Sequence, residues 1–153
     1  MVRIAIGSDE AGFGLKEKVK AFLQRKGYEV EDYGCYDTQP VLYPDIAVKV
    51  ATAVAEGREG RGILVCGTGI GMCIAANKVP GIRAAVCHDP YSAERARKSN
   101  DAQIMTMGAR VIGEELALML VSIWLDSEFA GGGSAPKVER INHYDREFRV
   151  GCC

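Results

Sequence analysis

Histidine is nearly missing from this sequence: 153 residues hold two, His88 and His143, alongside a single tryptophan. Six cysteines occur, at 35, 66, 73, 87, 152 and 153, but no pair has C-x-x-C spacing and neither histidine clusters with them. The ligand spacing of a structural zinc site is absent, so no metal is expected. An excess of charge of one sign is also lacking. Lys and Arg number 19 against 20 Asp and Glu, a formal net charge of −1, which gives neither nucleic acid nor an anionic membrane a reason to bind. No apolar run approaches the roughly 18 residues that would span a bilayer. The opening MVRIAIGSDE has no basic region followed by a long apolar core, so no secretory leader is expected, and the reading is a cytoplasmic protein with reduced thiols. Internal repeats and low-complexity linkers are missing as well, which leaves one domain over residues 1–153. The Cys152-Cys153 pair reads as a frayed end.

What is present alternates between strand and helix. Val2 to Ile6 is a short apolar strand, and Leu15, Val19, Phe22 and Leu23 follow at helical spacing before Gly27. A second strand is expected from Tyr28 to Tyr33, and Pro44 opens a helix that buries Ile46, Val50, Ala51 and Val54. Gly62 to Cys66 is continuously apolar, as a strand covered on both faces should be. The pattern then predicts a helix over 70–78, a strand over 84–87, a helix from Asp89-Pro90 and a strand over 104–107. Leu116, Leu120 and Trp124 mark one face of the next helix. A last helix from Pro136, over about 136–149, carries only Val138, Ile141 and Phe148 as apolar marks after a Gly-Gly-Gly-Ser joint. So sparse a stripe fits packing on a partner subunit. The alternation specifies an α/β fold: a three-layer α/β/α sandwich around a five-stranded parallel, Rossmann-like sheet.

Ligands of such sheets bind beyond the carboxyl ends of the strands. That rule singles out Ser8-Asp9, Cys66 to Gly71, Cys87-His88 and Met107 to Arg110. Glycines at 67, 69 and 71 let the chain turn tightly and aim several N–H groups at one point, a cradle for an oxyanion or phosphate that also favours the thiolate of Cys66. The spacing matches neither the dinucleotide fingerprint nor a P-loop. From the residues alone, a reactive Cys66 and an inert cysteine ending a buried strand both stand.

The stretches GSDEAGFGLK, YPD, CGTGIGMCIAANKVPGIRAAVC, PYSAERARKSNDA and GARVIG occur in this order. Across residues 1–141 the chain resembles the type B ribose-5-phosphate isomerases and the galactose-6-phosphate isomerase subunits. The resemblance implies interconversion of aldose and ketose phosphates through a cis-enediolate, without metal or cofactor. It also implies a homodimer or homotetramer whose active sites are shared between subunits. Carried over by position, Cys66 is the base that moves a proton between C1 and C2, and the main chain of Gly67, Gly69, Ile70 and Gly71 holds the enediolate oxygen. Some relatives use a glutamate at position 72; Met72 here has no such capacity. Asp9, beside Ser8, would face the sugar hydroxyls, or close an Asx turn. Thr68 would bond near the carbonyl oxygen, or stabilise its loop. Asn100 would reach the substrate from the neighbouring subunit, or cap a helix. Arg110 would hold phosphate, or lie on the surface.

The sequence also departs from that family. Histidines are usual where this chain has Glu10 and Ser99, and Arg, His and Arg where it has Gly133, Ser134 and Lys137. Ser99 cannot shuttle protons to open a furanose, and Glu10 would repel a phosphate dianion by on the order of a kcal/mol. One reading is a tetrose 4-phosphate, which has no furanose to open, held by Arg110 and Lys137. Another is an unphosphorylated sugar, with Glu10 accepting hydroxyl hydrogen bonds. In either, His88 is a substitute ring-opening acid or a bystander. The remaining reading, from a different class, is a non-catalytic sensor of a sugar phosphate or nucleotide.

Overall fold

The computed structural model describes residues 1–149. Five parallel strands form one sheet in the order β2-β1-β3-β5-β4. Strands β1 (Ile4–Ser8), β3 (Arg61–Cys66) and β5 (Ile104–Gly108) are buried at every residue, which is why, Ser8, Arg61 and Thr106 apart, they read as apolar runs. The edge strands β2 (Val30–Asp32) and β4 (Ala84–Val86) have three residues each and are half-buried or exposed. The second strand starts later than its sequence suggests because the Tyr28 amide closes the preceding helix on Leu23 O, 3.0 Å away.

Helices α1 (Phe13–Arg25), α2 (Tyr43–Ala55), α3 (Ile70–Ala76), α4 (Pro90–Lys98), α5 (Glu114–Leu125) and α6 (Ala135–Glu147) complete the chain. Side chains of β3 alternate between two apolar layers, as strand geometry requires. Ile63 and Val65 pack with Val19, Leu23, Leu120 and Trp124 from α1 and α5. Leu64 and Cys66 pack with Ile46, Val50 and Met72 from α2 and α3. This is the expected three-layer sandwich. Helix α3 stops two residues short of the expected Lys78 because the Asn77 side chain bonds both main-chain groups of Ala84, at 3.0 and 2.8 Å, and turns the chain toward β4.

Helix α6 lies against its own protomer through polar contacts. Asn142 accepts from Arg83 at 2.8 Å, Asp145 accepts the Gly81 N–H at 2.7 Å, and Arg149 donates to the Asn77 and Lys78 carbonyls. Val138 is buried, whereas Ile141, Tyr144 and Phe148 stay exposed.

The sequence reading gave no hint that Lys16 is fully buried. Its Nζ lies 2.9 Å from both Asp32 oxygens and also bonds the Cys35 carbonyl, while Lys20 joins the same carboxylate at 2.9 Å. Burial opposes the charge on Asp32, but the donors Lys16, Gly34 N–H and Lys20 outweigh it and hold its carboxyl below the usual range. The Cys35 amide in turn donates to Ser8 O at 2.7 Å, so this buried cation ties the ends of β1 and β2 together.

Candidate active site

The carboxyl ends of β1, β3 and β5 place Ser8, Asp9, Cys66 and the loop after it side by side. Ser8 is wholly buried, its Oγ 3.7 Å from Cys35 Sγ. Asp9 is almost buried and accepts the Gly12 N–H through Oδ1 at 2.9 Å, leaving Oδ2 for other donors. The bond reaches three residues on rather than the two of an Asx turn, and it closes the first loop ahead of α1.

Cys66 ends the central strand only 4% exposed, and its Sγ accepts the Gly69 N–H at 3.1 Å. Gly69 has φ +78, and a Cβ there would stand 2.8 Å from the Met107 carbonyl carbon. Its carbonyl receives the Thr106 hydroxyl at 2.7 Å, so the loop is pinned to the neighbouring strand. Thr68 Oγ1 accepts the Ile70 N–H at 3.3 Å. Among the described residues no protein group accepts from the N–H of Gly67, Thr68, Gly71 or Met72. The loop thus presents a set of uncommitted donors beside a sulfur, an arrangement suited to a developing oxyanion.

Arg110 folds back over this loop. Its N–H reaches Gly67 O at 3.0 Å, and its guanidinium stands 3.2 Å from where a Cβ on Gly67 would be. It is exposed and makes no ion pair among the described residues. Glu10 stands near enough to feel its charge. Hydrogen bonds to the Glu10 carboxylate from its own amide and from Val41 N–H, at 3.1 Å for the latter, hold that carboxyl below its usual range, with Arg110 adding to the effect.

His88 Nε2 accepts the Gly108 N–H at 2.9 Å, and burial pushes its pKa down. Through Nε2 the ring serves as a hydrogen-bond acceptor at the end of β5. Asp89 caps α4 by accepting the Ser92 N–H at 2.8 Å.

Two expected site residues lie elsewhere in the protomer. Helix α4 runs back along the sheet, and Asn100, just past its end, has its carbonyl bonded by Arg83 at 3.1 Å, beside the start of β4. Lys137 is in the first turn of α6, after a segment tied to α4 by the Ala130 N–H on Lys98 O at 3.1 Å. Both belong to the amino-end side of the sheet. Ser99 is near them, 3.4 Å from an Arg95 nitrogen.

Tyr43 was not among the expected site residues, although it begins the YPD stretch. A Cβ at Gly71 would come within 2.4–2.6 Å of Tyr43 Cζ, Oη and Cε2, so the phenol rests directly on the glycine loop. The one signal in the sequence was its position before Pro44, where α2 starts on the same side of the sheet.

A parallel sheet whose central strand ends in a thiol, a glycine cradle and an uncommitted arginine has the build of a Rossmann-like aldose–ketose isomerase. The chain belongs to the ribose/galactose isomerase family, whose model matches residues 4–141. It is 57% identical over 148 residues, 96% of this chain and 97% of the other, to a D-erythrulose-4-phosphate isomerase of Pectobacterium atrosepticum. A ribose-5-P isomerase B of Listeria innocua is 55% identical over 97% of this chain and its own full length. The solved ribose-5-phosphate isomerase B of Clostridium thermocellum superposes with a TM-score of 0.94 at 49% identity, covering 95% of this chain and 99% of that one.

Proposed function

We propose that this isomerase acts on a tetrulose 4-phosphate, converting it to the aldose through a cis-enediolate with Cys66 as the base. The observation that carries the choice of sugar is His88. Its Nε2 is committed to the Gly108 N–H, and burial moves its pKa down, away from the protonated form, so the strand-end imidazole is poorly placed as an acid for opening a furanose. A tetrose esterified at O4 cannot form that ring and needs no such acid. The similarity to a protein named for D-erythrulose 4-phosphate supports the same choice.

In this scheme the Cys66 thiolate removes a proton from C1 of the ketose, and the electron pair moves through C2 to the carbonyl oxygen. The uncommitted amides of the 67–71 loop stabilise that oxyanion. The same sulfur returns the proton to C2, and the hydroxyl proton passes from O1 to O2 beside Thr68 and Asp9. Arg110 pairs with the phosphate.

Side-by-side assays of D-erythrulose 4-phosphate, D-ribose 5-phosphate, tagatose 6-phosphate and free pentoses test the choice. The absence of a positioned ring-opening acid should hold kcat/KM for ribose 5-phosphate about 10²-fold or more below that for the tetrulose phosphate. Equal or greater turnover of ribose 5-phosphate defeats this reading.

The working form is a cytoplasmic homodimer or homotetramer in which Asn100 and Lys137 of one subunit complete the site of the next. Their distance from Cys66 along the sheet within one protomer supports that arrangement. Mixing inactive Cys66→Ala with inactive Asn100→Ala after dissociation and reassociation should regenerate activity, because mixed assemblies contain one site with both residues. No recovery in demonstrably mixed assemblies places Asn100 outside the shared site.

A further inference from the structure

Residues 36–42 lead from β2 to α2, and Thr38, Gln39 and Pro40 are exposed. The hydrogen bonds inside this strap are local: Gln39 N–H on Asp37 at 2.9 Å, and Asp45 N–H back to Leu42 O at 3.1 Å. Among the described residues one hydrogen bond reaches 38–42 from a distant part of the chain, Val41 N–H to Glu10 Oε2 at 3.1 Å. The Val41 side chain rests at the margin of the α2–α3 apolar layer, so packing gives the strap a seat and the carboxylate fixes its direction. Two residues further on, Tyr43 enters α2 with its ring against Gly71.

We infer that Glu10 is a positioning residue for this site: by holding Val41 it sets the Tyr43 phenol against Gly71 of the glycine cradle. Glu10 need not touch the sugar. It is well suited to the task because it sits directly after Asp9, whose Oδ1 is bound to Gly12 N–H. A Cβ on Gly12 would lie 2.4 Å from Val65 O, so the first loop is itself packed on β3. The chain of contacts runs from the rigid end of β3 through the first loop to Glu10, then Val41, then Tyr43, and back to Gly71. The carboxylate is kept ionised for this by the two amides and by Arg110. An ionised acceptor makes a hydrogen bond about twice as strong as a neutral one.

The kinetic consequence rests on the cradle being where the sugar phosphate binds; the structural consequence does not. Hydrogen–deuterium exchange of peptides covering residues 37–43, without any substrate, should run about tenfold faster in Glu10→Ala, which loses a charge-assisted bond. Glu10→Gln keeps an oxygen for the Val41 amide and should restore exchange to within about threefold of the parent. In parallel, Glu10→Ala should raise KM for D-erythrulose 4-phosphate several-fold with a smaller change in kcat, and Glu10→Gln should recover most of that loss. Tyr43→Ala should raise KM in the same way, and adding Glu10→Ala to it should cost little more, because both act on one contact. Unchanged exchange in a folded Glu10→Ala overturns the proposal even if the tetrulose phosphate is the substrate. So do equal defects in the Ala and Gln variants, or fully additive losses with Tyr43→Ala. Failure to turn over that sugar with faster exchange in the Ala variant leaves the positioning role standing and removes only the choice of substrate.

Discussion

Cys66→Ala is expected to lower kcat by about 10²- to 10⁴-fold, the usual worth of a proton-transferring side chain, and to abolish exchange of solvent deuterium into C1 and C2 of the sugar. Cys66 is 4% exposed, and among the described residues the one polar partner of its sulfur is the Gly69 N–H. Removing it leaves a small void beside Met72 and Leu64, at a stability cost of about 1 kcal/mol, so the variant should fold and still bind the phosphate through Arg110. Cys66→Ser separates chemistry from shape. Its hydroxyl can accept the same N–H but is not ionised near neutral pH, and it should be nearly as inactive as alanine. A serine variant within tenfold of the parent would show that the group at 66 orients the loop and that the proton is carried by something else. Deuterium exchange also disposes of the sensor reading: a binding protein brings none about.

Lys16→Met should be the most damaging change to stability outside the apolar layers. It leaves the Asp32 carboxylate with Lys20 and the Gly34 N–H and strips the Cys35 carbonyl of its donor. Breaking one side of a buried pair costs about 3–5 kcal/mol, which urea denaturation would show as a shift in midpoint. The pH dependence has a defined sign. Asp32 titrates lower in the folded protein than in the unfolded chain. Its contribution is therefore fully present above the unfolded value, near about 4, and is lost as pH falls through the folded one. The gap between parent and variant should be widest at neutral pH and narrow on acidification through the carboxylate range. A gap that is small, or constant with pH, removes the ion pair from the account. Because the Cys35 amide holds Ser8 O, the variant should lose activity before it unfolds.

The three central strands were legible because burial on both faces leaves little room for polar residues: Ser8, Arg61 and Thr106 are the polar members of β1, β3 and β5, and the rest is apolar or glycine. The boundaries that moved did so for reasons carried by single hydrogen bonds. Asn77 ends α3 by bonding Ala84, and the Tyr28 amide closes α1 before β2 begins; neither leaves a periodic trace. The site divides in the same way. Cys66, the glycine loop, Asp9 and Arg110 follow strands directly, and the strand-end rule finds them. Tyr43 and the Val41–Glu10 bond depend on how a long connection lies across another loop, and the burial of Lys16 depends on Asp32 and Cys35, which come from outside its helix. Asn100 and Lys137 were recognisable only by resemblance, since a helix returning along the sheet carries its last residue away from Cys66.

The alternation of β3 between two apolar layers has a practical consequence. The sulfur of Cys66 and the bulk of Trp124 sit on opposite sides of one sheet, one strand thick between them. A protein engineer can therefore refill the tryptophan side while leaving untouched the layer that holds Cys66.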